Sequence, residues 1–492
     1  MTDVMKRNVY EGIEKEKILA ELIKIFGKPN VTEKAHNLIP YSYDMTESDP
    51  KMPDFVVLPE KVEEIVQLVK FSNQYKIPIV PYVSGNNVGG LTIPEQGGII
   101  CDMGKRMKKI IKIHDSMMYA LLEPGVTFGY FKKYLDDHHP GLKYGMLMAP
   151  PYASVVANAI LSGLSTLSTA HGSMADFING LEIVLYNGEV VRTGSCFLSK
   201  EFKEDNWFVR YPIPDLTGLF IGWQGMTGIV TKAAVQLWPK KKYNTALLAI
   251  AYTGENCAAV IREFGRSECC EEVSCITSEL AKMGFGIQHP TKYEKEPDYA
   301  IMISVSGNTM ELLKAKVNYL KQVLEEIKEK AEDKRILLAD FDTFVNVLGK
   351  EFGMYYNLPN VLTPLYEWDG LTWVGSYTNP DNLGPLMDKC YALYGKYDLA
   401  PIIYAKSMKS SHYAIFRPII RYHKGTELEK VKKLQHEFLE IMLEYDCVPY
   451  KTPLWMTEII RKRCDPNWLK LLERIKDVMD PNNIFNPGRW GL

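Results

Sequence analysis

The sequence predicts an α+β fold in which a domain built on an antiparallel sheet is inserted into a glycine-rich domain. Short strands punctuated by glycine and proline fill residues 55–239. From Lys240 to about Asp446 the glycine loops become rarer, and long amphipathic helices alternate with strands. The residues after 447 are predicted to return to the first domain. The predicted division is therefore 1–241, 242–446 and 447–492.

Composition and charge restrict the class of protein. The chain has 492 residues, 46% hydrophobic and 24% charged, with a net charge of −2. This balance gives no electrostatic reason to expect a nucleic-acid or anionic membrane partner. No stretch of about 18 apolar residues is present, and the N-terminus lacks the apolar core of a secretory signal. We therefore expect a cytoplasmic protein without a membrane span.

The cysteines indicate neither a disulfide framework nor a metal site. The sequence has nine cysteines at irregular spacing and no CxxC pair. An odd number without paired spacing argues against disulfides, zinc and iron–sulfur clusters. We expect free thiols and no bound metal.

Apolar spacing predicts the first elements in order. Residues 18–25 predict an amphipathic helix, and Phe55 begins a strand that Pro59 ends. Residues 62–69 place their apolar side chains on one helical face, and Ile77–Tyr82 predicts a second strand. This order is that of a right-handed crossover unit.

The glycine-rich half continues with strands, helices and one hairpin. The expected elements are strands at Gly97–Met103, Lys109–Ile113 and Tyr119–Val126, a helix with Phe128, Phe131 and Tyr134, a small-residue helix at Ser154–Gly163, and a strand that Pro239 ends. The hairpin Leu181–Gly194 turns at Asn187-Gly188, a dipeptide that a type I′ turn favours.

The inserted half is predicted from two long helices and two strands. Apolar residues recur at spacings of four and three over 313–327 and over 428–441, which is typical of amphipathic helices. The strands Tyr299–Gly307 and Tyr413–Tyr422 alternate with them. This pattern predicts an antiparallel sheet with helices on it.

A glycine loop, Ser84–Gly90, follows the crossover unit directly. It is not a dinucleotide fingerprint of the GxGxxG type, because it leads into a strand and not into a helix. It also lacks the GK[ST] end of a P-loop. Three glycines and two asparagines can still aim consecutive backbone N–H groups at an anion.

The motifs together resemble a known flavoprotein superfamily. They are, in order, Gly85–Gly90, Asp102-Met103-Gly104, Glu123–Val126, Asn158, Gly163, His171-Gly172, Gly180–Glu182, Asn187-Gly188, Gly225–Thr231 and the terminal Asn486–Arg489. This series resembles the FAD domain of the vanillyl-alcohol oxidase and p-cresol methylhydroxylase (PCMH) superfamily over residues 50–240 and 440–492. The resemblance implies a two-subdomain PCMH-type FAD-binding domain with an inserted substrate domain, and FAD as cofactor.

The resemblance implies which residues contact FAD. Those expected at the pyrophosphate, the groove walls, the ring and the adenine or ribityl side are Ser84, Gly85, Asn86, Asn87, Val88, Gly89, Gly90, Pro150, Ser154, Asn158, Gly163, Gly172, Ser173, Gly228, Ile229, Val230 and Tyr413. Arg489 matches the basic residue that meets the flavin N1–C2=O edge. A guanidinium there would stabilise the negative charge of the reduced ring. His412 and Tyr413 lie where the family carries a covalent flavin link; non-covalent binding is the alternative.

The substrate side resembles the vanillyl-alcohol oxidase branch in part. Tyr450-Lys451 lies where phenol-oxidising members carry a Tyr-Arg pair that stabilises a phenolate. Lysine keeps the charge but not the planar bidentate contact. The family's loop tyrosine is Gly90 here, and the acidic residue near flavin N5 is replaced around Ser173. The phenolate machinery is therefore at best partial.

Three functions follow from the resemblance. The first is hydride transfer from a small alcohol or para-substituted phenol to flavin N5. The second is a lactate- or glycolate-type 2-hydroxy-acid dehydrogenase, with Arg417 and Arg421 for the carboxylate and His412 or His423 as base. The third is a non-catalytic flavin-binding subunit.

The resemblance also implies partners, and the sequence offers further pocket candidates. The electron acceptor would be oxygen or a cytochrome or flavoprotein partner, and the expected assembly is a homodimer or larger homo-oligomer. Aromatic candidates for lining a flat pocket are Tyr355, Tyr356, Trp368, Trp373 and Tyr377.

Overall fold

A computed structural model describes residues 9–10, 12–147, 149–198, 206–211, 213–284, 296–340 and 369–492. Its α-helices are Lys15–Phe26, Ala35–Leu38, Val62–Tyr75, Phe128–His138, Val155–Ile160, Ser168–His171, Gly254–Arg266, Ser278–Gly284, Met310–Lys330, Leu383–Lys396, Lys424–Glu444, Leu454–Arg461 and Pro466–Met479. Its strands are Val9–Tyr10, Ile13–Glu14, Val31–Thr32, Phe55–Val57, Ile79–Tyr82, Ile99–Asp102, Ile110–His114, Tyr119–Leu122, Leu142–Lys143, Ile178–Val184, Val190–Arg192, Ile229–Gln236, Trp238–Pro239, Tyr243–Ala251, Cys270–Thr277, Tyr299–Gly307, Ile336–Asp340, Gly370–Trp373, Ser376–Thr378, Ile402–Met408, Tyr413–Tyr422 and Val448–Pro449.

The first sheet contains the predicted crossover unit. Phe55–Val57 and Ile79–Tyr82 both run parallel to Ile99–Asp102, which lies between them. The helix Val62–Tyr75 joins Phe55–Val57 to Ile79–Tyr82 and buries Ile65, Leu68 and Val69 in the core beside this sheet. The glycine loop leaves the carboxyl end of Ile79–Tyr82, which is where ligands commonly bind in parallel sheets.

The second sheet is antiparallel and has five strands. Its order is Val190–Arg192, Ile178–Val184, Ile229–Gln236, Tyr119–Leu122 and Ile110–His114. The predicted hairpin is confirmed, but its type I′ turn is wrong. Gly188 has a φ of 80° and Asn187 has no positive φ, whereas a type I′ turn needs positive φ at both central residues.

The third sheet confirms the predicted antiparallel sheet. Nine strands between Tyr243 and Pro449 form it, and the strands that pair within it are antiparallel. The helices Gly254–Arg266, Met310–Lys330 and Lys424–Glu444 share a core with one face of this sheet. The opposite face carries Ile276, Tyr404 and Ile415 and packs against Leu164 of the glycine-rich half. We call this third sheet the cap sheet.

The C-terminal segment touches both halves. Val448–Pro449 pairs with Ser376–Thr378 in the cap sheet, whereas Phe485 forms a parallel bridge with Ile79 in the first sheet. The α+β fold class is confirmed, and the domain boundaries at 241 and 447 stay a prediction. All nine cysteines are free thiols. Among the described residues, no helix is both long and apolar enough to cross a membrane.

Candidate active site

One cavity lies where the two sheets of the glycine-rich half meet the cap sheet and the C-terminal segment. Its volume, with the open mouth included, is about 1880 Å³. The glycine-rich half supplies Pro81, Val83–Val88, Leu91, Thr92, Met103, Pro124, Leu147, Ala149, Ala153, Ser154, Val156–Asn158, Ile160, Leu161, Leu164, Ser165, Phe220, Gln224, Gly225, Thr227, Gly228 and Val230. The rest of the lining is Glu272, Leu280, Leu371, Trp373, Tyr404, Lys406, Arg417, Ile419, Lys451 and Asn486.

The glycine loop forms one end of this cavity and is fixed by its own side chains. The Asn87 amide donates to Thr92 Oγ1 at 3.0 Å, and its carbonyl accepts from the Leu91 N–H at 2.9 Å. Gly85 has a φ of 67°, a left-handed conformation that favours glycine. The loop is therefore shaped before any ligand arrives.

The C-terminal segment holds this loop from behind. An added Cβ at Gly89 would lie 2.8 Å from the Lys451 carbonyl oxygen, so only glycine allows the two backbones to approach. Arg489 is 1% exposed and donates to the carbonyls of Gly90 at 2.6 Å and Ile93 at 2.7 Å. Residues far apart in sequence thus fix one cradle.

Buried polar atoms without partners face this end of the cavity. Asn86 Oδ1, Gln224 Oε1 and Asn486 Oδ1 accept no hydrogen bond within the described chain, and all three residues line the cavity. An unpaired buried acceptor costs free energy, about 1–3 kcal/mol each. The cradle therefore suits a ligand that carries several hydrogen-bond donors.

The cap sheet forms the other end of the cavity, and that end is aromatic and cationic. The Arg417 guanidinium carbon lies 4.5 Å from the ring centroid of Trp373 and 5.6 Å from that of Tyr404. Arg417 Nη2 donates to the hydroxyl of Tyr450, whose ring stacks on Tyr377 at 5.1 Å. Arg417 Nε and Trp373 Nε1 are buried donors without partners in the described chain.

Lys451 adds a second cation at this end. Burial, with a contribution from Arg417, lowers the pKa of Lys451 to about 7. Within the described ranges, neither Lys451 nor Arg417 has a carboxylate within ion-pair distance. Two neighbouring cations and two unpaired donors make this end of the cavity a site for an anionic oxygen.

A buried ion pair borders the same end. Lys406 Nζ donates to Glu272 Oε2 and, at 2.6 Å, to the Ser165 carbonyl. Both side chains are 1% exposed, and both residues line the cavity. Glu272 Oε1 has no partner in the described chain. The pair therefore holds one carboxylate oxygen at the cavity wall, where it is available to accept a hydrogen bond from a ligand.

Comparison with known proteins identifies the family. The family described as FAD binding domain matches residues 53–194, and the one described as FAD linked oxidases, C-terminal domain, matches residues 455–490. The 4-cresol dehydrogenase (hydroxylating) flavoprotein subunit of Pseudomonas putida is 25% identical over 99% of this chain and 98% of its own length. The crystal structure of p-cresol methylhydroxylase with substrate bound has a TM-score of 0.85 at 23% identity, covering 97% of this chain and 96% of that one.

The chain is an FAD-linked oxidoreductase, and over almost its whole length it is similar to PCMH-type proteins. The predicted resemblance, the enzyme class and the FAD cofactor are confirmed. A glycolate oxidase subunit of Bacillus subtilis is also similar, at 33% identity over 47% of this chain. That match spans 46% of the relative, less than half of its length. Membership in an oxidoreductase family leaves the predicted non-catalytic subunit without support.

The cavity of this flavoprotein fits FAD. Its three unpaired acceptors suit a cofactor whose ribityl chain, ring and adenine all carry donors. The apolar wall of Val156, Ile160 and Val230 suits a flat ring. When bound, FAD supplies a two-electron acceptor that the twenty amino acids lack.

The predicted FAD contacts divide into two groups. Those that line the cavity are Ser84, Gly85, Asn86, Asn87, Val88, Ser154, Asn158, Gly228 and Val230. Those that lie outside its lining are Gly89, Gly90, Pro150, Gly163, Gly172, Ser173, Ile229, Tyr413 and Arg489. Ile229 is buried in the core because alternate residues of a strand face opposite sides. Gly163 leaves room for the Asn158 side chain, which an added Cβ would touch at 2.0 Å.

The structure places three predicted ring-side residues away from the cavity. Arg489 holds the cradle from behind, as described above. His412 is exposed in the turn that joins the last two long strands of the cap sheet. Tyr413 is partly buried and meets the ring of Tyr377 edge-on at 5.2 Å. We therefore do not assign the covalent flavin link to His412 or the flavin N1–C2=O contact to Arg489 in the candidate site.

The predicted substrate residues are also redistributed. Lys451 lines the cavity. Tyr450 does not line it, but its hydroxyl accepts a hydrogen bond from Arg417, which does. Arg417 and Trp373 line it, whereas Arg421, His423 and Tyr377 do not. Tyr355, Tyr356 and Trp368 lie outside the described residues.

Sequence reasoning missed Glu272, Lys406 and Tyr404. The signal was available, because Glu272 and Lys406 are charged residues inside the apolar strands Cys270–Thr277 and Ile402–Met408. A charge in such a strand is seldom buried unless it is paired. The partner could not be named, because the two residues are 134 positions apart.

Proposed function

We propose that this flavoprotein oxidises a small alcohol or para-substituted phenol, and that FAD takes up the hydride. Arg417 and Lys451 would hold an oxyanion of the substrate. The observation that carries the proposal is this pair of cations, which has no carboxylate partner in the described chain and lies in an aromatic part of the cavity. A site with unpaired donors strongly prefers the ligand that satisfies them.

The chain's own residues have separate parts in this proposal. Arg417 can meet a phenolate or carboxylate in a planar contact, and Lys451 adds a point charge. Trp373 and Tyr404 flank Arg417 and would border an aromatic ring. Tyr450 accepts a hydrogen bond from Arg417 and so orients it. The similarity to the Pseudomonas 4-cresol dehydrogenase subunit over almost the whole chain supports this assignment.

The second candidate is a 2-hydroxy-acid dehydrogenase. Arg417 would suit a carboxylate, and the Bacillus glycolate oxidase subunit supports the candidate over 47% of the chain. Against it, the second predicted arginine, Arg421, does not line the cavity, and neither predicted histidine base does. A small aliphatic acid would also leave the aromatic side chains of Trp373 and Tyr404 without a substrate contact.

For the electron acceptor and the assembly, the proposal rests on the resemblance to the family alone. Oxygen, a cytochrome or a flavoprotein partner could accept the electrons. The homodimer and the cytoplasmic location stay predictions.

Anaerobic reduction of the bound FAD tests the proposed function. The FAD-loaded protein is mixed with 4-hydroxybenzyl alcohol, 4-ethylphenol, mandelate, lactate or glycolate, and the loss of the visible flavin band is followed. We expect bleaching with a phenolic compound, and at least tenfold weaker substrate affinity in Arg417→Met. Arg421→Met is the matched control on the same strand and should keep the wild-type affinity. Bleaching by lactate or glycolate alone would favour the second candidate, and bleaching by none would refute both.

A further inference from the structure

The proposed function assigns no role to the buried pair of Glu272 and Lys406. Lys406 donates hydrogen bonds to Glu272 Oε2 and to the Ser165 carbonyl, whereas Glu272 Oε1 accepts none from any residue in the described ranges. Glu272 is 0% exposed, yet it lines the cavity. A carboxylate with one free oxygen is thus fixed in the wall of the site.

Stability alone is a poor reason for this pair. Desolvating two charges costs several kcal/mol each, and their attraction only about repays that cost. Apolar residues of similar size often replace such pairs without loss of stability. A buried pair that survives in a cavity wall is therefore a candidate for a chemical role.

The placement of Glu272 relates it to the oxyanion site. The strand register shifts between Cys270 and Glu272, so these residues do not simply alternate. Glu272 lines the cavity, whereas Glu271 lines a neighbouring pocket, where it binds Lys143 at 2.6 Å and accepts from the Ser306 hydroxyl at 2.5 Å. Tyr404 lies between Glu272 and Arg417: it pairs with Arg417 across the strands, and the charges of both act on its phenol. The carboxylate and the cations therefore border one space from neighbouring strands.

We infer that Glu272 is the proton acceptor of the reaction, and that the substrate is an alcohol carrying an oxyanion at a second position. The oxyanion binds Arg417 and Lys451, and the alcohol hydroxyl donates to Glu272 Oε1. In the step, the O–H proton moves to Glu272 and the C–H electron pair leaves with its hydrogen as hydride to bound FAD. A C=O bond forms, the substrate loses two electrons and FAD gains them. This inference rests on the proposed function.

The oxyanion has two chemical sources, a phenolate or a carboxylate. Either oxyanion would bind Arg417 and Lys451, and in either substrate the alcohol hydroxyl would lie in the same cavity. A phenolic benzyl alcohol represents the first source and mandelate the second. A para-alkylphenol has no hydroxyl on its reacting carbon, so it would not need Glu272 to remove a proton there.

The groups that face Glu272 are known from the described chain. Lys406 faces it from the neighbouring strand, Tyr404 from the same strand as Lys406, and Arg417 lies beyond Tyr404. Ser165 presents a carbonyl to Lys406 from the glycine-rich half. Lys406 therefore positions the carboxylate, and Glu272 is the group that meets the substrate.

Rapid-mixing reduction of the FAD-loaded Glu272→Gln variant tests the inference. We expect flavin reduction by the alcohol that bleaches the wild type to slow by about 10²–10⁴-fold, the usual contribution of a general base. Reduction should then rise steadily with pH, because hydroxide replaces the lost base. Glu271→Gln is the matched control one residue away, and its rate should stay within threefold of wild type. The double variant Glu272→Gln/Lys406→Met, which removes both charges of the pair, should be as slow as the single one.

Binding gives a second readout that needs no turnover. Atrolactate, the tertiary analogue of mandelate, has no hydrogen on its hydroxyl-bearing carbon and so cannot be oxidised by hydride transfer. 2-Phenylpropanoate lacks the hydroxyl group. We expect the wild type to bind atrolactate about tenfold more tightly than 2-phenylpropanoate. This ratio should fall at least threefold in Glu272→Gln, because an amide oxygen is a weaker acceptor than a carboxylate.

The outcomes separate this inference from the proposed function. Failure of every alcohol and of 4-ethylphenol to bleach the wild type would refute both. Bleaching by 4-ethylphenol and by no alcohol would refute only this inference. Bleaching of the wild type together with a near-normal Glu272→Gln rate, or an unchanged binding ratio, would refute only the role of Glu272. Loss of FAD in both the single and the double variant would also overturn it, because the pair would then be structural.

Discussion

At the scale of single residues, the cavity contains cations that have no counter-ion among the residues that the structure describes. Lys451 is the clearest case, because burial and Arg417 together lower its pKa to about 7. An ammonium with that pKa is only partly charged near neutral pH. A bound anion would restore the charge, so ligand binding and protonation of Lys451 are linked.

Lys451 therefore predicts a pH-dependent affinity for aromatic anions. Below pH 7 the free protein already carries the charge, so the Kd of benzoate should be flat from about pH 5.5 to 7. Above pH 7 each binding event must take up a proton, and the Kd should rise by up to about tenfold per pH unit. A titration of the FAD-loaded protein at several pH values measures this.

The control is Lys451→Arg, whose guanidinium does not titrate in this range. Its Kd for benzoate should be flat from pH 5.5 to 8.5. A rise in that variant equal to the wild-type rise would assign the pH dependence to another group.

Single residues were predicted unevenly. Lys451 was found because its position beside Tyr450 matches a family pattern, and Arg417 was named for the alternative function. Glu272 was not found, because a single acidic residue in a strand does not reveal which side chain will meet it. Arg489 was predicted at the edge of the flavin ring, but the sequence could not show that its guanidinium donates to the carbonyls of Gly90 and Ile93.

At the scale of elements, loops that end strands form the site. The loop after Ile79–Tyr82 meets the turn at Lys451, and Gly89 marks the point of closest approach. Periodicity predicted the strands and helices on either side of such loops. The turn at Asn187-Gly188 shows the limit of sequence-based prediction. The dipeptide correctly marked the turn, but the backbone there does not take the predicted type I′ conformation.

Gly89→Ala should weaken FAD binding. The new Cβ would lie 2.8 Å from the Lys451 carbonyl oxygen, so the loop or the C-terminal segment must move. We expect at least a tenfold higher Kd for FAD in an equilibrium titration of the apoprotein. Gly141→Ala is the matched control, because no atom lies within 4 Å of its added Cβ. An unchanged Kd in Gly89→Ala would mean that this contact does not shape the cradle.

At the scale of the whole molecule, the cavity joins parts that are distant in sequence. The first two sheets, the cap sheet and the C-terminal segment each contribute part of the lining. The fold class and the antiparallel inserted sheet could be predicted, because they follow from local apolar patterns and from the family resemblance. The oxyanion site could not, because it depends on how the cap sheet lies against the glycine-rich half.

A cofactor that touches several parts should stabilise them together. With FAD at one hundred times its Kd, binding should add about 2.7 kcal/mol to the free energy of unfolding. The thermal unfolding midpoint of the apoprotein should therefore rise with FAD concentration. FMN, which lacks the adenylate half, should raise it less at the same concentration. Equal shifts with FMN and FAD would indicate that the cradle does not bind the adenylate half.

The central claim is that FAD and the cation pair of Arg417 and Lys451 share one cavity. Titration of the FAD-loaded protein with benzoate, followed in the visible flavin spectrum, tests it directly. We predict one FAD per chain, a saturable shift of the flavin band, and at least tenfold weaker benzoate binding in Arg417→Met. A protein that stays colourless when FAD is supplied, or a flavin band that benzoate leaves unchanged, would contradict the claim.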